Sequence, residues 1–370
     1  MTSATVAGNG TPILVPRLTS SRGTRVLISL GLLAVVTIPL NVGSSYWLGV
    51  LNAAGVAAIA ATGLNVLTGY AGQLSLGHAF FVGVGAFTGQ YVGGALGLPM
   101  ILWLPAAGLL AAVAGAVIAP FALRLRGPYL AIVSLSLVFI GIYAARNLGS
   151  VTGGFNGTVV TAHASLGPAD FERLQITSLL FAREQGMFIL IWSVLALTLL
   201  VVANVMRTRS GRAMQATRDH DIAAEVLGVR MLRTQVNAFV LASGIAGIAG
   251  GLLAANLQYI RPENFDVALS VQYLAIIVIG GLGTLSGPVL GSLFVSLVPV
   301  AVDALADSLP FMSEAGGSGL STTDLTLILY GSLIVLFLTL EPRGLVHVIR
   351  RVRARLAGVA RHKSTAAVGK

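Results

Sequence analysis

The residues most able to do chemistry stand where chemistry is least expected. In GLNVLTGYAGQLSLGHAFFVGVGAFTG, residues 63–89, the side chains of Asn65, Gln73, Ser75 and His78 can donate or accept hydrogen bonds, yet there is no Asp, Glu, Lys or Arg from Val26 to Leu123. Gly69, Gly72 and Gly77 lie among them, so the stretch reads as a helix interrupted in apolar surroundings. Non-helical backbone at such a place is tolerated where it is buried in protein or lines a watery cavity, and broken helices are where transporters build their pathways. GGLGTLSGP at 280–288 repeats the pattern with Gly281, Gly283 and Thr284. The two interruptions together predict a path between them lined by Asn65, Gln73, Ser75, His78 and Thr284; a pair of tight cytoplasmic turns is the alternative. His78 has no neighbouring acid or second ligand in the sequence, so a hydrogen-bonded packing role is favoured over a proton relay or a metal site.

The elements that position these residues follow from composition. Of 370 residues, 55% are hydrophobic and 10% charged, with a mean hydropathy of +0.88; an ordinary soluble domain carries about 25% charged residues. The chain therefore reads as an all-α polytopic membrane protein. Ten spans are expected near 26–42, 47–67, 74–96, 100–123, 128–146, 187–206, 234–256, 268–283, 287–306 and 324–340, and none shows the alternation of a barrel strand. A cleaved leader is the rival reading of residues 1–42. There is no cysteine, which excludes disulfides and thiolate ligands. The net charge of +10 is read by position, not as a sign of nucleic-acid binding.

Charge segregation orients the chain. With the N-terminus inside, 19 of the 23 basic residues fall on the cytoplasmic side and nine of the thirteen acids outside. Both termini are thus expected in the cytoplasm. The domain expectation is an N-terminal arm at 1–25, a transmembrane region at 26–341 with an external loop at 147–186 and a cytoplasmic segment at 207–233, and a basic tail at 342–370 drawn to anionic lipid. In the cytoplasmic segment Ser210 is expected to cap a short helix to about Arg218, and Asp221 a second, Ile222 to Leu227, closed by Gly228 in a left-handed turn. That hairpin fits either a protein partner or a lipid surface. Gly85 with Gly89, and Gly247 with Gly251, have the spacing of ordinary close helix packing.

Catalytic constellations are missing from the sequence. There is no G-x-x-x-x-G-K-[ST] phosphate loop, no H-E-x-x-H and no G-x-S-x-G. With so little charge in the spans, ion coupling has little footing, and if ATP drives this protein another chain binds it.

GLNVLTGYAGQLSLGHAFFVGVGAF closely resembles the hallmark segment of the LivM-type permease subunits of bacterial branched-chain amino acid ABC importers. LRLRGPYLAIVSLSL at 123–137, TGGFNG at 152–157, GRAMQATRDHDIAAEVLGV at 211–229 and the AFVLASGIAGIAGGLLA that follows resemble the same family in the same order. The resemblance, over about residues 45–340, implies a type II importer-like permease bundle in the bacterial inner membrane. It implies a homologous second permease, two ATPases that carry ATP and Mg, and an external substrate-binding protein, with no cofactor or metal on this chain. It also implies that 211–228 couples to an ATPase. Ala223, Ala224 and Gly228 match the family's Glu-Ala-Ala, three residues, Gly pattern, whereas Ile222 stands at the Glu position; Arg212, Arg218, Asp219 and Asp221 are then the expected polar contacts. Leucine, isoleucine and valine are the implied cargo. Urea, short amides and sugars, carried by related permeases, and a self-sufficient secondary transporter are the alternatives.

Overall fold

The computed structural model describes residues 44–122, 128–306 (less 167–168, 173–174, 177–178 and 181), 322–340 and 344–348, with Thr37, Pro39 and Arg351. The N-terminal arm, nearly all of the first expected span, the turn bearing Arg124 and Arg126, most of 307–323 and most of the basic tail lie outside the described residues. Within them the principal helices are α1 (Ser45–Leu64), α2 (His78–Gln90), α3 (Met100–Ala122), α4 (Pro128–Asn147), α5 (Arg183–Arg207), α6 (Arg209–Asp219), α7 (Asp221–Val226), α8 (Met231–Leu257), α9 (Val267–Gly280), α10 (Gly287–Ala306) and α11 (Thr322–Leu340).

A helix thus stands at nine of the ten expected spans among the described residues, the first being the one left out. Fewer are long and apolar enough to cross a bilayer on their own. Five qualify among the described residues, namely Ser45–Tyr70, Met100–Phe121, Arg183–Arg207, Met231–Leu257 and Pro262–Gly280, with a sixth if Ala131–Asn147 and Gly149–Asn156, bent by 87°, form one span. The shortfall has a geometric reason in α2. Its 13 residues reach only about 20 Å at 1.5 Å per residue, and the chain leaves the α-helical path at both of its ends.

α8 is the axis of the bundle, packed against α1, α2 and α3. Its small residues explain how. Gly85 faces the Gly247 backbone, and a Cβ built at Gly89 would lie 3.3 Å from the Gly251 Cα, so the two glycine pairs seen in the sequence meet each other. Gly250 likewise presses on the Val82 carbonyl. Lipid tails are as apolar as leucine, so helices associate here through close backbone contact rather than through release of water. α5 packs on α1, while α10 bridges α1, α9 and α11. α3 and α4 turn Leu109, Val117, Phe121, Tyr129, Phe139 and Tyr143 outward, an apolar surface suited to lipid or to another subunit.

The segment between α4 and α5 is anchored by short pairings. Thr158–Val159 runs antiparallel to Tyr259–Ile260. The SVTGGFNG turn is tied down by Arg146, which forms a 2.8 Å ion pair with Glu263 and lies over the Phe155 ring.

Candidate functional site at the meeting of the two interrupted helices

The first interruption begins where α1 runs into a π-helical turn, Asn65–Tyr70. The wider turn closes through Ala71 N–H to the Val66 carbonyl and Gln73 N–H to the Leu67 carbonyl, and Gly72 follows with φ +73°, a conformation that favours glycine. The chain then passes through Ser75 and Gly77 before α2 starts at His78. Here the exposed amides of a helix start must find partners inside the protein. Ser134 of α4 accepts from Leu76 N–H at 2.9 Å, and Ser270 of α9 accepts from Ala79 N–H at 3.0 Å. Gly77 packs directly on the Ser134 carbonyl, where any larger residue would collide. His78 Nε2 donates to the Ala60 carbonyl at 2.8 Å and ties the start of α2 back onto α1.

The second interruption lies between α9 and α10. Gly281 and Gly283 take φ +122° and +69°. Thr284 Oγ1 donates to the Gly281 carbonyl at 2.7 Å and accepts from Gly287 N–H at 3.1 Å, so it caps α10. Asn65 then joins the two breaks across 219 residues of chain, donating from Nδ2 to the Thr284 carbonyl at 2.8 Å. Its Oδ1 accepts from Gly283 N–H at 2.9 Å.

The five polar residues therefore differ in what they have left to offer. Asn65, His78 and Thr284 hold backbone in place, and Ser75 accepts a long hydrogen bond from Gly77 N–H. Gln73 is 5% exposed, and neither its Oε1 nor its Nε2 has a partner among the described residues. Among the helix-break glycines, Gly72, Gly281 and Gly283 have positive φ, whereas Gly69 and Gly77 serve close approach.

The hairpin expected at 207–233 forms with its caps shifted. Thr208, not Ser210, is the N-cap of α6 and accepts from Gly211 N–H. α7 begins at Asp221 itself and ends at Val226, one residue earlier at each end than expected, with His220 at its N-cap. Gly228 closes it at φ +84°, as the sequence suggested. The reason for the first shift is that Thr208 alone precedes the helix in extended backbone, while Ser210 already lies in the first turn.

The side chains of the hairpin point in two directions. Arg212 donates to the Arg207 carbonyl at 2.7 Å, and Arg218 donates inward to the Gly69 carbonyl at 2.5 Å. Ala224 is 2% exposed, buried against its own chain, whereas Ala223, Asp219 and Asp221 are exposed. The most exposed apolar residues of the segment are Ile222 (75%), Val226 (83%) and Leu227 (84%). Sequence reasoning passed over these three. Their signal was present as branched aliphatics in a segment rich in arginine and acids.

An apolar cavity of about 380 Å³ lies between α2, α4 and the turns that follow α4 and precede α9, lined by Phe80, Val84, Phe87, Leu148 and Phe265. No group of three or more His, Cys, Asp or Glu that could hold a metal occurs among the described residues.

The family described as "Branched-chain amino acid transport system / permease component" matches residues 46–338. The high-affinity branched-chain amino acid transport system permease protein LivM of Escherichia coli K12 is 31% identical over 308 residues, covering 78% of this chain and 67% of that one. LivM of Salmonella typhimurium is 30% identical over the same shares. A more partial likeness, 33% over 113 residues, is to the autoinducer 2 import system permease protein LsrC of Salmonella paratyphi B, and it covers 29% of this chain and 32% of that relative. No solved structure matches the chain. With two interrupted helices clamped together inside an apolar bundle, and the match running through both of them, the chain belongs to the permease components of branched-chain amino acid transport systems.

Proposed function

We propose that this permease subunit forms half of the translocation path of an ATP-driven, binding-protein-dependent importer of leucine, isoleucine and valine. The observation that carries the reading is the hairpin of α6 and α7, which presents Ile222, Val226 and Leu227 to the outside of the chain. Large aliphatic side chains left uncovered together on the hairpin mark a surface for a partner. The sequence has no phosphate loop of its own, so the partner that covers them is taken to be an ATPase, two copies per transporter, carrying ATP and Mg. The names of the E. coli and Salmonella relatives support the choice of cargo.

In this reading the loaded binding protein docks on the outer loop at 147–186 and ATP closes the ATPase pair. The hairpin is displaced, and the bundle, paired with a homologous permease, opens in alternation. Both termini lie in the cytoplasm. The chain sits in the inner membrane, and its basic tail rests on anionic lipid. A hydrophobic zwitterion needs no charged residue in the path if the binding protein supplies selectivity. Gln73, with its amide unpartnered, is the residue proposed to meet cargo. The apolar cavity beside Phe80, Phe87 and Phe265 is the kind of environment an aliphatic side chain takes.

The test is uptake of radiolabelled leucine by proteoliposomes holding this chain with the permease, ATPase and binding-protein subunits encoded beside it. ATP-dependent uptake that vanishes without the binding protein is the expected result. Uptake of urea, a short amide or a sugar in place of leucine would overturn the cargo, and uptake by this chain alone would overturn the mechanism.

A further inference from the structure

One guanidinium reaches the place where both interrupted helices meet. Arg218 lies in the last turn of α6, and its Nη1 donates to the carbonyl of Gly69 in the π-helical turn. The surroundings are shaped to admit it. A Cβ built at Gly283 would stand 2.5 Å from Arg218 Nη1 and 2.9 Å from the Gly69 carbonyl oxygen. A Cβ at Gly72 would stand 3.2–3.3 Å from the Cα, Cβ and Cγ of Arg218. A Cβ at Gly69 would be 2.5 Å from Gly283 N. Two glycines far apart in sequence, Gly72 and Gly283, thus leave room for one arginine from a third segment; Gly69 leaves room for the Gly283 amide, and Asn65 binds those two segments to each other.

The same hairpin exposes its aliphatic residues a few positions later. α6 passes into α7 through His220, whose N–H bonds the Ala216 carbonyl and whose carbonyl accepts from Ala224 N–H. α6 is held at its own core face by Met214 and Thr217, both buried. The element is therefore a short, internally bonded unit, with an outward aliphatic end and an inward cationic one. A hydrogen bond from a charged donor is roughly twice as strong as a neutral one. Its acceptor here is a carbonyl where the regular helix has given way, a position with a free lone pair to offer.

We propose that Arg218 is a positioning residue that makes the hairpin a lever, carrying its displacement to both interrupted helices at once through Gly69 and the Asn65 clamp. The inference rests on the reading of the hairpin as the ATPase contact. It assigns to Arg218 a role inside this chain in place of the ATPase contact expected from the sequence.

The experiment measures leucine uptake and ATP hydrolysis together in the reconstituted complex. In Arg218→Ala the leucine moved per ATP hydrolysed falls at least tenfold while the ATPase stays bound in a pull-down; Arg218→Lys, which keeps a cationic donor, recovers part of that ratio. A ratio in Arg218→Ala within twofold of the unaltered chain would overturn the proposal. Failure of the underlying reading looks different. It would show as ATPase that still binds Val226→Asp and Leu227→Asp variants, whatever Arg218 does.

Discussion

Asn65 uses its amide in both directions, and that fixes what a substitution there costs. Asn65→Leu keeps the size but strands Gly283 N–H and the Thr284 carbonyl, both of which face its amide. Each buried group left unpaired costs about 1–3 kcal/mol, so the variant should lose several degrees of Tm in detergent and most of its uptake. Asn65→Asp should be as poor, because a carboxylate can still accept from Gly283 but presents an oxygen to the Thr284 oxygen. A variant as stable as the unaltered chain would show that the clamp is dispensable. Gln73 predicts the opposite pairing of effects. Its amide is buried without partners, so Gln73→Met removes a desolvation cost and should raise Tm, while uptake falls if the amide meets cargo. Uptake preserved alongside a raised Tm would remove Gln73 from the path. The sequence marked both residues by the same signal, a polar side chain in an apolar run. It could not separate them, because what engages Asn65 lies 219 residues away and no local pattern encodes such a partner.

At the level of elements, the interruptions were legible because glycine and turn chemistry are local. Gly72, Gly281, Gly283 and Gly228 stand in left-handed or related backbone where the sequence put helix ends. The glycine pairs on α2 and α8 were also legible as contact-makers, though not that they contact one another. Their packing makes a sharp prediction. Gly247 has the Gly85 backbone on one side, and on the other a Cβ built at Gly247 would come within 2.5 Å of Ala111 Cβ, so there is room for no side chain. Gly247→Val should cost about 1–3 kcal/mol or more through overpacking, read as a lowered Tm and loss of a monodisperse peak in size-exclusion chromatography. Gly228→Pro should instead leave the bundle intact and disturb only the end of α7, since nothing packs on Gly228. What the sequence obscured in the hairpin was direction. α6 and α7 are short, and a shift of one or two residues in a cap rotates each side chain by 100° or more. The contact of Arg218 with Gly69 joins residues 149 apart, which no local pattern encodes.

For the whole molecule, polytopic character follows from composition alone, but the number of crossings does not. α2 is interrupted at both ends and α10 carries Pro299, so segments of similar hydropathy can cross fully, partly, or only together with a neighbour. Orientation is expected to follow charge rather than helix count, which would put the arginines of 207–233 on one side and the segment holding Asp170, Glu172 and Glu184 on the other. The absence of cysteine makes this testable without background. Single cysteines at exposed positions, Ala223→Cys in α7 and Val159→Cys beside the outer turn, should react with a membrane-impermeant maleimide from opposite faces. In right-side-out vesicles Val159→Cys should label at once and Ala223→Cys only after permeabilisation. Both labelling from the same face would require an even number of crossings between them. If that shared face is the outer one, the hairpin lies away from the side proposed for it, and the proposed ATPase contact at Ile222, Val226 and Leu227 falls with it.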